Sequence, residues 1–329
     1  MAQPTNEWTS SFSSDFNETY AMIHFIEAWI TVAVSIFQIA LLGILVYRES
    51  SENKNRVVFT QVNCFLLFSI ATNCLALVFI EFGKNTKGTG TYQSFYILSI
   101  VSYFAYQFLV VQYTLNRGLP DIQALISTSR IYFIILVVVI QTITLTLVMI
   151  SIIMVLATDV AIFSNSANVL HYFQSVCDGL IFVFDLAVLS YYGLYLHKVK
   201  RDGYDFEVKR LYILSQFGVA SFIVFQVFLA TSATLTQFTN PRQLMSIFDQ
   251  NFWIAFIHIQ NLSPLVYTFV QLGMKYTLHR EKKRRIAENM RNIENAKDKI
   301  NKFLAPSEMQ TVKNSVADKE NTIRESHST

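Results

Sequence analysis

The chain has 329 residues, of which 52% are hydrophobic and only 15% are charged, and its formal net charge is +3. Soluble domains carry about 25% charged residues, so this composition excludes an ordinary water-soluble protein. The small net charge also gives no reason to expect a nucleic-acid partner. The three cysteines, Cys64, Cys74 and Cys177, all lie in apolar segments, which argues against a disulfide framework or a zinc site.

Seven stretches of the chain are long and apolar enough to cross a bilayer as helices, which takes about 20 residues. Their hydrophobic runs are continuous, whereas the strands of a membrane barrel alternate between polar and apolar residues. The sequence therefore predicts an all-α membrane protein, a seven-transmembrane helix bundle over residues 20–276. The predicted spans are 20–47, 57–83, 92–115, 131–157, 171–196, 211–237 and 251–276.

The distribution of positive charge predicts the orientation of these spans. With the N-terminus outside, all of the 26 Lys and Arg residues face the cytoplasm except Lys84, Lys87 and Arg242. We therefore expect a multi-pass protein of the plasma membrane with an extracellular N-terminal tail, residues 1–19, and a cytoplasmic C-terminus. The sequon at Asn17 lies in that tail and is a candidate for glycosylation.

The segment after the last span combines positive charge with apolar residues at helical spacing. In residues 277–304, Ile286, Met290, Ile293 and Ile300 recur among many charged side chains. Two interpretations are open: a solvated helix, or a cationic amphipathic helix that binds the anionic inner leaflet. Residues 305–329 are polar, and we expect them to form a disordered cytoplasmic tail.

Several ionisable side chains fall inside the predicted spans, where each is costly unless it is paired or hydrated. In the outer halves of the spans they suggest a ligand pocket that opens outward and has aromatic walls. A simpler interpretation is open for His24, Glu27 and Glu81, which stand near the outer ends of their spans and could reach the headgroups. Asp178 and Asp185 are too short to do so, and we expect a functional role for both. The predicted ligand-binding residues are His24, Glu27, Tyr103, Tyr106, Gln107, Gln174, Asp178, Trp253 and His258.

Motifs of catalysis are missing from the sequence. It has no HxxxH or HExxH pair typical of a metal hydrolase, and no GxSxG element typical of a serine nucleophile. The last span has no lysine before Lys275 at its cytoplasmic edge, which argues against a retinal protein. We therefore expect no enzyme activity, no cofactor and no bound metal.

The last predicted span contains Pro264, the only proline inside a span. Proline removes a backbone hydrogen bond and usually kinks the helix. Asn261 and Ser263 can satisfy the freed carbonyl groups, and Tyr267 follows about one turn later. Such a segment can hold two hydrogen-bonding arrangements, which makes it a candidate moving part. A static packing kink is the alternative.

The stretch from Asn261 to Tyr267 resembles the NPxxY element of the rhodopsin-like G-protein-coupled receptors, with Ser263 in place of the usual asparagine. Arg117, at the inner end of span three, is similar in position to the arginine of their DRY element, and Asn73 would replace their sodium-site aspartate. No aspartate precedes Arg117, and the usual outer disulfide has no cysteines. The resemblance implies a divergent receptor that signals through a heterotrimeric G protein. The candidate switch and coupling residues are Asn73, Arg117, Asp185, Asn261, Ser263, Pro264 and Tyr267.

Two functions of different classes are open. The first is a cell-surface receptor that binds an external ligand between the outer halves of its helices and signals to a cytoplasmic partner. The second is a seven-helix ion- or proton-coupled transporter or channel, with Glu27, Asp178, Asp185 and His258 along its path. The expected partners are membrane lipid, an extracellular ligand of unknown type and a heterotrimeric G protein, with no nucleic acid.

Overall fold

The computed structural model describes residues 14–52, 60–84, 89–125, 129–156, 160–201, 205–237 and 247–325, and every residue in these ranges except Thr60 is helical. The described residues thus confirm the predicted all-α class. The helices are α1 (Ser14–Glu52), α2 (Gln61–Lys84), α3 (Thr89–Leu125), α4 (Ser129–Leu156), α5 (Val160–Arg201), α6 (Asp205–Gln237) and α7 (Ile247–Glu325).

Six of the described helices contain a segment that is long and apolar enough to cross a membrane. These segments are Ala21–Ser51, Gln61–Lys84, Gly90–Gly118, Arg130–Leu156, Val176–Arg201 and Val208–Thr231. They overlap the first six predicted spans, which supports a multi-pass helical membrane protein. Large apolar side chains such as Ile36, Tyr132 and Leu145 have more than half of their surface exposed, as side chains in contact with lipid do.

The seventh predicted span, 251–276, lies within α7, which is not among these six segments. Its hydropathy is lower because polar residues interrupt the apolar ones, among them His258, Asn261, Gln271 and Lys275. The seventh crossing and the orientation of the bundle therefore stay predictions.

Helix α7 lies beside both the first helix and the central helices of the bundle. Consecutive helices from α1 to α6 pack against each other, and α3 also contacts α5. The rings of Phe37 on α1 and Phe269 on α7 have centroids 6.3 Å apart. Tyr267 of α7 belongs to a large buried cluster with residues of α3, α4, α5 and α6, including Phe184 and Phe225. This packing brings polar residues of α7 within reach of α1, α2, α3 and α6.

The chain divides into two units, Met1–Tyr276 and Thr277–Thr329. The second unit is the continuation of the α7 helix to Glu325, where ion pairs such as Arg284 Nε to Glu288 Oε1 at 3.1 Å join successive turns. We expected disorder from residue 305, but residues 305–325 are helical. The stretch contains no glycine and holds helix-forming residues such as Ala305, Glu308 and Lys313, while Pro306 near its start supplies no backbone donor.

Candidate functional site

Glu27 of α1 contacts two residues of α7 through its carboxylate. Its Oε1 atom lies 3.1 Å from His258 Nδ1, and its Oε2 atom accepts a hydrogen bond of 3.0 Å from Asn261 Nδ2. The Glu27 side chain is only 6% exposed, so it is buried among the helices. A carboxylate in such surroundings is tolerated only when its oxygens are paired in this way.

A second pair of the same kind lies between α1 and α2. His24 Nδ1 is 3.4 Å from Glu81 Oε2, and Lys84 Nζ is 3.9 Å from the same oxygen. Because His24 and Glu27 are one turn apart on one helix, the two pairs form one group, which we name the Glu27 cluster: His24, Glu27, Glu81, Lys84, His258 and Asn261. Its carboxylates and imidazoles can exchange their present partners for protons or for polar groups of a ligand.

The buried face of α1 continues as a row of polar side chains below Glu27. Thr31, Ser35 and Gln38 follow at helical spacing, and each is at most 2% exposed. Gln38 Nε2 donates to the carbonyl oxygen of Leu265 at 2.9 Å, and Gln38 Oε1 accepts from Thr268 Oγ1 at 3.0 Å. We call the row Thr31, Ser35, Gln38 and Thr268 the polar seam. It joins α1 to α7 at the turns that follow Pro264.

The polar seam was missed by sequence reasoning, which did not follow the uncharged polar residues along α1. The spacing of His24, Glu27, Thr31, Ser35 and Gln38 along one helical face was the signal that would have revealed it.

A third connection between these helices involves Lys275. Its Nζ atom is 2.7 Å from Glu49 Oε2 of α1 and 2.9 Å from Asn63 Oδ1 of α2. No role was expected for Glu49, and Lys275 was considered only as evidence against a retinal protein. The pairing ties the last described turns of α1 to the first turn of α2 and to α7.

Arg117 of α3 is bonded to α7, and through it to α6. Its Nη1 atom donates to Gln271 Oε1 and lies 3.6 Å from the sulfur of Met274. Gln271 Nε2 in turn donates to Ser221 Oγ at 2.5 Å. The guanidinium carbon is 5.5 Å from the ring centre of Tyr113, within the range of a cation–π contact. We name Arg117, Gln271, Ser221 and Met274 the Arg117 cluster.

A small cavity adjoins the Arg117 cluster. Its volume of about 20 Å³ is room for about one water molecule. Three of the candidate switch residues, Arg117, Asp185 and Tyr267, line it together with Ser221 and Thr114. The hydroxyl oxygens of Thr114 and Tyr267 are 3.4 Å apart. Tyr192 also lines it, so the cavity brings a cation, a carboxylate and four hydroxyl-bearing side chains from α3, α5, α6 and α7 to one place.

The other candidate switch residues do not line this cavity. Asn261 belongs to the Glu27 cluster, and Ser263 donates to the carbonyl oxygen of Ile259 within its own helix. Pro264 is buried, and its carbonyl oxygen lies 2.9 Å from Thr268 Oγ1. Asn73 is buried on α2.

The predicted ligand-binding residues fall into three separate groups. His24, Glu27 and His258 lie in the Glu27 cluster. Tyr103 and Tyr106 of α3 pack against Phe228 of α6, with ring centroids 6.0 Å and 6.1 Å apart, and Gln107 Nε2 is 3.5 Å from Tyr103 Oη. Gln174 donates to Asp178 at 2.8 Å within α5. The side chains of Trp253 and Asn17 lie outside the described parts.

Asp178 is buried, and one of its oxygens, Oδ2, has no hydrogen-bond partner among the described residues. No contact between described residues joins it to His258, so the single cavity that we expected around these two residues stays a prediction.

Within the described ranges, no three His, Cys, Asp or Glu side chains are grouped to hold a metal ion.

A scan of this chain against protein-family models and a search of curated proteins both gave no match.

Proposed function

We propose that the chain is a plasma-membrane receptor with seven spans, its N-terminus outside and its C-terminus in the cytoplasm. In this orientation the Glu27 cluster faces the external side, where a ligand binds, and the Arg117 cluster lies in the cytoplasmic half. A heterotrimeric G protein, the partner that the resemblance implies, is the proposed cytoplasmic transducer.

The seventh crossing is supported by the pairing of α7 with α1. A helix rises about 1.5 Å per residue, so the stretch of α1 from Glu27 to Glu49 is about 33 Å long, close to the hydrocarbon thickness of about 30 Å. At the two ends of this stretch α1 is paired with His258 and with Lys275 of α7. A helix that accompanies a membrane span over this length spans the membrane itself, and its polar residues are tolerated because they face other helices.

The observation that carries the receptor proposal is the position of α7 between the two clusters. One end of its span holds Glu27 through His258 and Asn261, and the other holds Arg117 through Gln271. Pro264 and the polar seam lie between them. A ligand that takes over the hydrogen bonds of Glu27 releases the outer end of α7 and favours a second arrangement of the helix.

In that second arrangement the bond from Gln271 to Arg117 breaks, and Arg117 becomes available to a cytoplasmic partner. The ligand shifts this equilibrium only by its difference in affinity for the two arrangements. The partner and the ligand then favour each other's binding by the same factor, because the coupling is reciprocal.

The test is nucleotide exchange on purified G proteins by the reconstituted chain, with a panel of ligands. Gln271→Ala removes the partner of both Arg117 and Ser221, so we expect ligand-independent exchange to rise several-fold. Gln216→Ala is the matched control, because Gln216 is exposed and bonds only Tyr212 of its own helix among the contacts described. If neither any ligand nor Gln271→Ala changes the rate of nucleotide exchange on any class of G protein, the proposal is contradicted.

A second function, an ion- or proton-coupled transporter or channel, is favoured by the polar seam. Buried polar groups extend from Glu27 through Thr31, Ser35 and Gln38 toward Gln271, and a chain of such groups can carry protons. The receptor is preferred because Gln38, Leu265 and Thr268 bind one another, and transport would have to break these bonds in every cycle.

Flux measurements separate the two functions. In liposomes with an imposed pH gradient, a transporter gives proton flux that Glu27→Gln or Asp185→Asn abolishes without loss of the folded protein. A receptor gives no flux above protein-free liposomes.

A further inference from the structure

The second unit carries a narrow row of apolar side chains on an exposed helix. Its members, Ile286, Met290, Ile293 and Ile300, have 49%, 65%, 67% and 57% of their surface exposed, and we name them the Ile286 stripe. Large apolar side chains aligned in this way mark a surface that binds a partner. The candidates are the membrane, a different protein and a second copy of the chain.

The spacing of the stripe is that of a coiled coil. Its members follow at steps of four, three and seven residues, and Lys297 divides the last step into four and three. Apolar residues at alternating steps of three and four occupy the a and d positions of a heptad, which face a partner helix. Such a seam is narrower than the apolar face of a helix that lies on a core.

The charges of this segment argue against an anionic membrane as the partner. Five of the six residues from Arg280 to Arg285 are basic, and that cluster suits acidic headgroups. Residues 286–300, which carry the stripe, hold three basic and three acidic side chains. This segment therefore has no net attraction to an acidic leaflet.

We propose that the Ile286 stripe binds the same stripe of a second copy of the chain in a parallel coiled coil. Copies inserted in one membrane with the same orientation present this segment on the same side, whichever side that is, and the parallel arrangement follows. Each stripe residue then faces its counterpart across a two-fold axis. The proposal depends neither on the proposed receptor function nor on which side of the membrane the C-terminus faces.

The residues around the stripe fit such a pair. In a parallel pair, Asn289 faces Glu294 and Ala296 faces Asn301 beside the seam, so no like charges meet at these flanking positions. Within the seam the two Lys297 side chains face each other, which lowers the stability of the pair. Lys297 is the one seam position between Ile286 and Ile300 that lacks an apolar side chain, and a single polar residue at an a position holds the register of a coiled coil.

Cysteine cross-linking of the full-length chain in membranes tests the proposal. In a background with Cys64, Cys74 and Cys177 replaced by alanine, Ile293→Cys places a thiol in the seam and Asn295→Cys places one on the opposite face. We expect mild oxidation to convert Ile293→Cys to a disulfide-linked dimer in at least five-fold higher yield than Asn295→Cys. Equal yields, or no dimer from either variant, overturn the proposal.

Labelling of Ile293→Cys with a water-soluble maleimide distinguishes a second copy from lipid. In nanodiscs that hold one copy and contain phosphatidylserine, we expect labelling as fast as that of Asn295→Cys. In discs that hold two copies, we expect it to be several-fold slower, and the additional change Ile286→Glu to restore the fast rate. Slow labelling in single-copy discs would assign the stripe to the membrane and overturn the proposal.

Discussion

At the scale of single residues, Glu27 shows how a charge is accommodated in the apolar interior of the bundle. One of its carboxylate oxygens accepts a hydrogen bond from the amide of Asn261, and the other lies 3.1 Å from the imidazole of His258. The sequence alone indicated that Glu27 and His258 matter, because ionisable groups are rare in membrane spans. It did not indicate that they bind each other, since that depends on the packing of α1 against α7.

Replacement of Glu27 by alanine is expected to destabilise the bundle. It leaves His258 and Asn261 without their acceptor in a buried place, and breaking a buried pair costs about 3 kcal/mol or more. The thermal unfolding midpoint of the purified chain in detergent is the measurement, and we expect a clear fall for Glu27→Ala.

Glu288→Ala is the control for that experiment. Its ion pair with Arg284 is exposed on both sides, and exposed pairs contribute about 1 kcal/mol or less. Equal midpoints for Glu27→Ala and Glu288→Ala would contradict the role of Glu27 described here.

Lys275 and Glu49 form an ion pair whose charges can be exchanged. Lys275→Glu places two carboxylates side by side, so we expect lower stability, and the added change Glu49→Lys should restore most of it. The expected coupling between the two positions in a double-mutant cycle is about 1 to 3 kcal/mol. Additive effects of the two substitutions would show that the side chains do not interact.

At the scale of elements, the sequence predicted the helices that hydropathy alone defines and gave less information about α7. Helices α1 to α6 contain long apolar segments, because most of their surface faces lipid or an apolar core. The span in α7 is partly polar, since it faces Glu27, Gln38, Arg117 and Glu49. Its partners could not be predicted, because hydropathy carries no information on which helices are neighbours.

For the candidate site, the sequence predicted several of the residues but not which of them are neighbours. The resemblance selected Arg117 and Tyr267, and both line the cavity beside Asp185. Gln174 and Asp178 were both candidate ligand-binding residues, and the two are hydrogen-bonded to each other within α5. The grouping of residues from different helices was not predictable, because helix rotation and depth come from packing.

Pro264→Ala tests α7 as the moving element. Alanine restores a backbone donor and favours a straighter, stiffer helix, so we expect ligand-stimulated nucleotide exchange to fall several-fold while the protein stays folded. Pro306→Ala makes the same substitution in the second unit and should leave exchange unchanged. If both variants signal as the parent does, the proline is a static packing feature.

At the scale of the whole molecule, the proposal requires that α7 crosses the membrane and gives the chain an odd number of spans. Six apolar segments alone would return the chain to the side on which it began. In the proposed arrangement the Glu27 cluster and the Arg117 cluster lie about 15 to 20 Å apart along α7, the first toward the external side and the second in the cytoplasmic half, and external binding reaches the cytoplasm along that helix.

The position of the two chain termini in intact cells tests this requirement most directly. One epitope is placed before Asn17 and another is placed after Arg285, and antibody access is compared before and after the plasma membrane is permeabilised. We predict that the N-terminal epitope is labelled in intact cells and that the C-terminal epitope is labelled only after permeabilisation. Labelling of both epitopes on the same side would mean an even number of spans and would contradict the account.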